Sequence, residues 1–394
     1  MPNLENLTNH NAISILGSTG SVGGQTLEVA GLLGLSVLAL SAGSNVELLE
    51  EQVRRFKPKV VCLADEKAAH DFKIRIADMD VAVYSGEAGL IEVACVTGAD
   101  TVVTAVSGMV GLLPTMAAIK QGRRIALANK ETLVCAGKLV MEQAEQCGAE
   151  IIPVDSEHCA IFHCMKASSR EAIKSIILTA SGGPFRGKSR EEMKAVTPQM
   201  ALQHPTWNMG KKISIDSSTM MNKGLEVIEA AHLFDLPVDM IQVVVHPESI
   251  IHSMVEFVDN SVVAQLAIPD MRLPIQYALT YPEQIPSLIS PLDLTSISKL
   301  TFEKPDMEAF PCLSLAYQAA QMGGTAGAIL NGANEAAVDL FLQEKISYPQ
   351  IYESIKTALE TIPIIETPTL EDIIEAGKEA NQLTMNNYSL LIIN

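Results

Sequence analysis

A chain of 394 residues has room for two or three domains at about 150 residues each, and it can bury a sizeable core without a disulfide scaffold. Its 46 acidic against 28 basic residues leave a formal net charge of −18, the opposite of the basic field that a nucleic-acid or anionic-membrane binder carries, so a phosphorylated ligand must rely on local donors. With 48% hydrophobic and 19% charged residues the chain is folded over most of its length.

Met1 to Asn11 is polar, with no apolar run behind a basic cluster, so no signal or transit peptide is expected. The runs Ala12 to Leu16, Ser36 to Leu40, Lys59 to Leu63, Val81 to Tyr84, Thr101 to Ala105, Arg124 to Ala128 and Glu150 to Val154 alternate with amphipathic stretches. That rhythm predicts a doubly wound, mostly parallel sheet in an N-terminal Rossmann-like domain, residues 1–155. The apolar stretch Val102 to Ile119 is broken by Ser107, Gly108, Gly111 and Pro114, which argues against a membrane span.

After about Ser156 the rhythm changes. Ser175 to Thr179, Ile213 to Ile215, Met240 to Val245, Ser253 to Val258 and Val262 to Ala267 read as strands without regular crossovers, so an α+β domain with a partly antiparallel sheet is expected over 156–280. A proline-punctuated linker, 281–305, follows. Leu313 to Met322, Ala333 to Leu342, Tyr352 to Leu359 and Leu370 to Ala380 then carry helical periodicity, predicting a C-terminal helical domain over 306–394. The seven scattered cysteines form no C-x-x-C pair and read as reduced thiols of a cytoplasmic protein.

Three segments carry chemistry. Gly17-Ser18-Thr19-Gly20-Ser21-Val22-Gly23 follows the first strand and opens a helix, where glycines let the backbone approach a pyrophosphate at a helix N-terminus; an ordinary glycine-rich turn is the alternative. No acidic residue closes the second strand, where Ser41 to Asn45 stand, which favours NADP over NAD, although no Arg or Lys stands there and Arg54 and Arg55 are the nearest. Asp155-Ser156-Glu157 ends the seventh strand and offers hard oxygens to Mg²⁺ or Mn²⁺, or else Asp155 simply caps a helix. His158-Cys159 and His163-Cys164 lie at i, i+5 on a predicted helix, which argues against zinc. The third segment, Ser181 to Phe185 with His204 to Gly210 and Asp216 to Glu226, is rich in hydroxyls and amides, holds the lone tryptophan in a lid-like stretch, and sets Asn222 and Lys223 one turn from Glu226, so that Glu226 can complete a three-carboxylate metal site.

Taken in order, GSTGSVG at 17–23, ALANKETLV at 126–134, PVDSEH at 153–158, SGGPFR at 181–186, HPTWNMGKKISIDSSTMMNKGLE at 204–226, HPESIIHSMVEF at 246–257 and PDMRLPIQYAL at 269–279 resemble the 1-deoxy-D-xylulose 5-phosphate reductoisomerase family. The resemblance extends to GAILNGANEAAV at 327–338. It implies that Gly17, Thr19, Gly20, Ser21 and Val22 line the NADPH pyrophosphate, with Gly43, Ser44, Asn45, Asn129, Glu131 and Gly210 also on the cofactor. It also implies one divalent cation on Asp155, Glu157 and Glu226. Lys130, Ser156, Glu157, Ser181, His204, Ser217, Asn222, Lys223 and Glu226 then face the sugar phosphate, with Trp207 and Met209 on a closing loop.

The implied chemistry is NADPH-dependent rearrangement and reduction of 1-deoxy-D-xylulose 5-phosphate to 2-C-methyl-D-erythritol 4-phosphate in the non-mevalonate isoprenoid pathway, by retro-aldol cleavage, re-addition and hydride transfer. Lys130, Glu157 and His204 are its implied catalytic residues, and whether Glu157, Lys130 or a water at the cation moves the proton stays open. Many members carry a basic residue where Ser44 stands here. The resemblance further implies a homodimer. A plain NADP-dependent hydroxy-acid or aldehyde dehydrogenase is one alternative. A dinucleotide-sensing regulator is another, which the lack of a basic recognition stripe disfavours.

Overall fold

Short β-branched runs build the first layer of the computed structural model, which describes residues 12–207 and 209–393; the expectation for Met1 to Asn11, and Asn208 of the tryptophan segment, lie outside these. In chain order the elements begin with β1 (Ala12–Leu16), α1 (Ser21–Leu33), β2 (Ser36–Ala42), α2 (Val46–Phe56), β3 (Val60–Leu63), α3 (Glu66–Arg75), β4 (Ala82–Ser85) and α4 (Gly86–Ala94). They continue with β5 (Thr101–Thr104), α5 (Leu112–Ile119), β6 (Arg124–Leu127), α6 (Glu131–Cys147), β7 (Ile151–Pro153) and α7 (Ser156–Cys164). The remaining elements are β8 (Ile173–Ala180), α8 (Pro198–Ala201), α9 (Lys211–Ser218), α10 (Met221–Leu233), β9 (Ile241–Val245), β10 (Ile251–Phe257), β11 (Val262–Leu266), α11 (Arg272–Thr280), α12 (Pro311–Met322), α13 (Ala326–Leu342), α14 (Tyr348–Thr361) and α15 (Leu370–Ile393).

The chain divides into two compact units. The first comprises the described residues up to Asn129 with Val140–Cys159 and Asp270–Ser290. Its seven strands run in the order β4-β3-β2-β1-β5-β6-β7, and every pairing is parallel. The strand order reverses between β1 and β5, and in open parallel sheets the crevice beyond the strand ends at that reversal is where ligands lie. The turn after β1 opens there. All seven strand expectations for this sheet hold to within a residue or two at each end.

The second unit comprises Lys130–Leu139, Ala160–Pro269 and the chain from Pro291 onward. Its sheet has the order β11-β10-β8-β9, with β10 antiparallel to β8 and β11 while β8 and β9 are parallel. One sheet face is covered by α10 through Val227, Ala230 and Phe234 against Ile176, Leu178 and Val255. Each such buried valine, isoleucine, leucine or phenylalanine contributes about 1.5–3 kcal/mol. A second core joins Ile215, Leu225, Leu313, Ile329, Phe341 and Ile351 of α9, α10 and the C-terminal helices.

Two sequence expectations need correction here. Ile213 to Ile215 is helical, inside α9, because a three-residue apolar alternation does not distinguish a strand from one buried helical turn, and only Ile215 of the two isoleucines is fully buried. The helix expected from Ala333 starts at Ala326: a Cβ on Gly327 would come 2.0 Å from the Val134 carbonyl oxygen, so small residues let α13 press against backbone where an apolar periodicity is hard to see. α6 is broken at Ala136 (φ −134°, ψ 25°), beside Gly137, whose absent side chain makes room for the His232 ring.

Candidate active site

The turn after β1 is held from below. Ser18 N–H donates to the Ser41 carbonyl at 2.7 Å and Gly17 N–H to Ser41 Oγ at 2.9 Å. Ser18 Oγ donates to Gln52 Oε1 at 2.7 Å, and Gln52 Nε2 returns a bond to the Ser18 carbonyl at 2.9 Å. Gly17 adopts φ +85°, and a Cβ there would sit 2.6 Å from the Ala105 carbonyl oxygen; on Gly23 it would sit 2.2 Å from Gly17 O. The backbone therefore lies as close as it can to its own helix. α1 begins with no side-chain cap and no acidic residue in its first turn, so its leading N–H groups and positive dipole end are left for an anion.

Sequence reasoning found the glycines and missed Ser18, Ser41 and Gln52 as their support. Gln52 was readable as a polar residue on the buried Val46, Leu49, Val53 face of α2. At the end of β2, Gly43, Ser44 and Asn45 are exposed, and Asn45 Oδ1 caps α2 by accepting from Leu48 N–H at 3.1 Å. Arg54 is committed elsewhere, to Glu50, Asp78 and the Arg75 carbonyl, and Arg55 lies over the Phe56 ring. Asn129 is buried at the edge of this unit, donating to the Gly108 carbonyl at 3.0 Å.

Asp155 stands one residue beyond β7, after Val154, and immediately precedes α7, its carbonyl accepting from Cys159 N–H at 2.9 Å. Ser156 Oγ donates to Glu157 Oε2 at 2.5 Å, and His158 Nδ1 lies 3.9 Å from Asp155 Oδ1. Asp155 therefore stands at the start of α7 and Glu157 in its first turn, as either reading of the segment requires.

In the second unit α10 does what its spacing predicted. Glu226, 1% exposed, accepts from Asn222 Nδ2 at 2.6 Å and from Lys223 Nζ, while Lys130 Nζ reaches Glu226 Oε1 at 3.0 Å and Asn222 Oδ1 at 2.9 Å. Burying a carboxylate is unfavourable by several kcal/mol unless it is paired, and here two ammonium groups and an amide hold it. Met220, which precedes the helix, takes φ +59°, a strained conformation for a buried methionine of the kind that gathers at functional sites.

His204 Nδ1 accepts from Thr206 N–H at 3.2 Å and Trp207 N–H at 2.9 Å, which assigns the neutral ring's proton to Nε2, 3.0 Å from Ser181 Oγ. Burial draws the His204 pKa down to about 4, so the imidazole is neutral at physiological pH. Ser181 Oγ also accepts from Gly183 N–H, which orients its own hydroxyl hydrogen outward. Trp207 is half-buried, 6.5 Å between centroids from the His252 ring. Met209 and Ser217 are half-buried, and Gly210 opens α9. Glu131 heads α6 and is held by Lys212, a residue that sequence reasoning passed over although Lys212 and Asp216 stand at i, i+4.

The first unit, with its reversal-point turn and uncapped helix, belongs to the dinucleotide-binding α/β class, and the second carries both a lysine-clamped carboxylate and a Ser-His pair. The family model for 1-deoxy-D-xylulose 5-phosphate reductoisomerase matches residues 13–137, and models for C-terminal domains of the same enzyme match 151–234 and 266–383. The enzyme of that name from Lachnospira eligens is 54% identical over 367 residues, 93% of this chain and 97% of its own length. That from Acetivibrio thermocellus is 54% identical over 95% of this chain and 98% of its own. Among solved structures, the Zymomonas mobilis reductoisomerase in complex with NADPH aligns with a TM-score of 0.88 at 42% identity, covering 96% of this chain and 99% of that one. A reductoisomerase in complex with NADPH, fosmidomycin and magnesium aligns with a TM-score of 0.92 at 43% identity, over 97% and 99%. The chain belongs to the 1-deoxy-D-xylulose 5-phosphate reductoisomerase family.

Proposed function

We infer that this chain carries out the reaction its family is named for, the NADPH- and divalent-cation-dependent conversion of 1-deoxy-D-xylulose 5-phosphate to 2-C-methyl-D-erythritol 4-phosphate in isoprenoid precursor synthesis. The observation that carries the reading is Glu226, a buried carboxylate clamped by Lys130, Asn222 and Lys223 on the family's most specific motif. Neither a plain dehydrogenase nor a sensor calls for such a cluster.

Asp155, Glu157 and Glu226 are the residues we assign to one Mg²⁺ or Mn²⁺, and their chemistry fits: three anionic hard oxygens and no sulfur or imidazole. When bound, the cation supplies Lewis-acid polarisation and the nucleotide a hydride. The chain's own residues do the rest. Thr19, Ser21 and Val22 present N–H groups to the pyrophosphate, Gly20 lets the backbone approach it while its own N–H donates to the Gly17 carbonyl at 3.1 Å, and Gly43, Ser44, Asn45, Asn129, Glu131 and Gly210 complete the nucleotide contacts. Lys223, Asn222, Ser217 and Ser181 grip the sugar phosphate with charge-assisted and hydroxyl donors, and Ser156 joins them. His204, neutral and donating its one ring proton from Nε2 to Ser181 Oγ, orients the Ser181 hydroxyl for a substrate oxygen; Lys130 and Glu157 are the groups to which we assign the proton transfer. Trp207 and Met209 cover the reacting fragments and exclude water.

The functional division we propose is a nucleotide-binding part over 1–155, a catalytic part over 156–280, a connecting stretch over 281–305 and a helical part over 306–394. Among the described residues no helix is long and apolar enough to cross a membrane, in keeping with a cytoplasmic protein. A homodimer is supported by β11, an edge strand with Val262 and Leu266 exposed. The deciding measurement is NADPH oxidation with 1-deoxy-D-xylulose 5-phosphate: consumption should fall to background after chelation and return with Mg²⁺ or Mn²⁺. Consumption indifferent to metal would overturn the reading.

A further inference from the structure

We propose that Lys212 is a positioning residue for the nucleotide, acting through Glu131. Its Nζ lies 2.8 Å from Glu131 Oε1 and 3.0 Å from Asp216 Oδ2, and both carboxylates are buried, at 6% and 1% exposure. The second oxygen of Asp216 accepts from the buried Asn334 amide of α13 at 2.8 Å. One ammonium thereby ties the first residue of α6 to the first turn of α9 and, through Asp216, to α13.

The position of Glu131 gives the tie its consequence. Its neighbour Lys130 spans Asn222 and Glu226, so the pair Lys130-Glu131 is fixed by opposite charges on either side. Burial alone would draw the Lys212 ammonium down, but Asp216 and Glu131 outweigh it and hold it above the ordinary lysine value. Without that cation the buried carboxylates of Glu131 and Asp216 lose the ammonium that lies between them and repel each other, which displaces Glu131 from its place at the head of α6. Lys211, the preceding residue, is exposed and shares none of these bonds.

The proposal rests on the NADPH reading above, and its test needs no sugar substrate: titrate the full chain with NADPH and follow nucleotide fluorescence. Lys212→Gln should bind NADPH about tenfold more weakly, the order expected when a charge-assisted hydrogen bond between buried groups is lost. Lys212→Arg should recover most of the affinity, and Lys211→Gln, the same change of charge one residue away, should bind like the parent. In turnover the Lys212→Gln defect should appear in the KM for NADPH with kcat largely kept. Should Lys212→Gln fail to fold, Lys212→Gln/Asp216→Asn relieves the repulsion between the two carboxylates and should show the same loss. Parent-like binding by the folded variant, or equal loss in Lys211→Gln, overturns the positioning role; a parent that does not bind NADPH overturns the cofactor reading with it.

Discussion

At the scale of single residues, Glu226, which we assign to the cation and not to the nucleotide, is where the two roles can be separated by experiment. Replacing it by glutamine keeps the shape and removes the charge that answers Lys130 and Lys223. Turnover should fall by at least about a hundredfold, as for loss of an anionic metal ligand, while the NADPH dissociation constant should stay within about threefold. A melting curve belongs beside the assay, because two buried ammonium groups then share a neutral amide and stability drops by about 3 kcal/mol. Normal turnover with Mg²⁺ present would sink the metal assignment. Residue types at fixed helical spacing made this cluster legible in advance, for Asn222, Lys223 and Glu226 needed only the assumption of a helix. Lys130 on Glu226 was not legible as a contact, since nothing local relates residues so far apart in sequence.

Elements explain the cofactor turn better than residues do. Gly23 and Gly24 are adjacent in α1 and look equivalent in sequence, yet a Cβ on Gly23 would meet Gly17 O at 2.2 Å while one on Gly24 meets nothing within 4 Å. Gly23→Ala should therefore push the helix off its turn, destabilising by about 2–4 kcal/mol and weakening NADPH binding at least about tenfold. Gly24→Ala, at a helical position with room for the methyl group, should stabilise by about 0.4–1 kcal/mol and bind NADPH unchanged. Thermal melting and nucleotide titration of the two variants check this directly; equal effects from both would remove close packing as the reason for the glycine spacing. The parallel sheet was readable because each strand is a short, largely apolar or β-branched run between helices. The Ile213 to Ile215 segment was not, because one buried turn and one short strand present the same apolar alternation, and the decision is made by the tertiary packing of α9. Ser18, Ser41 and Gln52 support the turn through bonds 23 and 34 residues apart, a separation that no local motif encodes.

For the molecule as a whole, an excess of acid at −18 coexists with binding of phosphorylated ligands because the second unit gathers the buried Lys130 and Lys223 at one place, so net charge governs solubility while local charge governs the site. The same unit also buries histidines, and these set its response to acid. His163, His204 and His252 are each held neutral, their pKa values pushed down to about 4 chiefly by burial. The free imidazole value near 6.5 applies in the unfolded chain. A depressed pKa makes the contribution to stability complete above pH 6.5; it is lost progressively as pH falls from 6.5 towards 4, where the unfolded chain takes up protons that the fold refuses. Each ring contributes at most about 1.4 kcal/mol per pH unit across that window, less where water reaches it. His204 has a further reason to resist protonation, because Nδ1 would cease to accept from Thr206 and Trp207. Trp207, the lone tryptophan, lies in this unit and reports on it selectively. Thermal melting followed by tryptophan emission should show a steep fall in Tm between pH 6.5 and 4.5, with little change from pH 7 to 8. Changing all three rings to glutamine, each of which keeps a polar group without a titrating proton, should flatten that fall; a parent Tm constant from pH 7 to 4.5 would mean that the buried rings accept protons without strain.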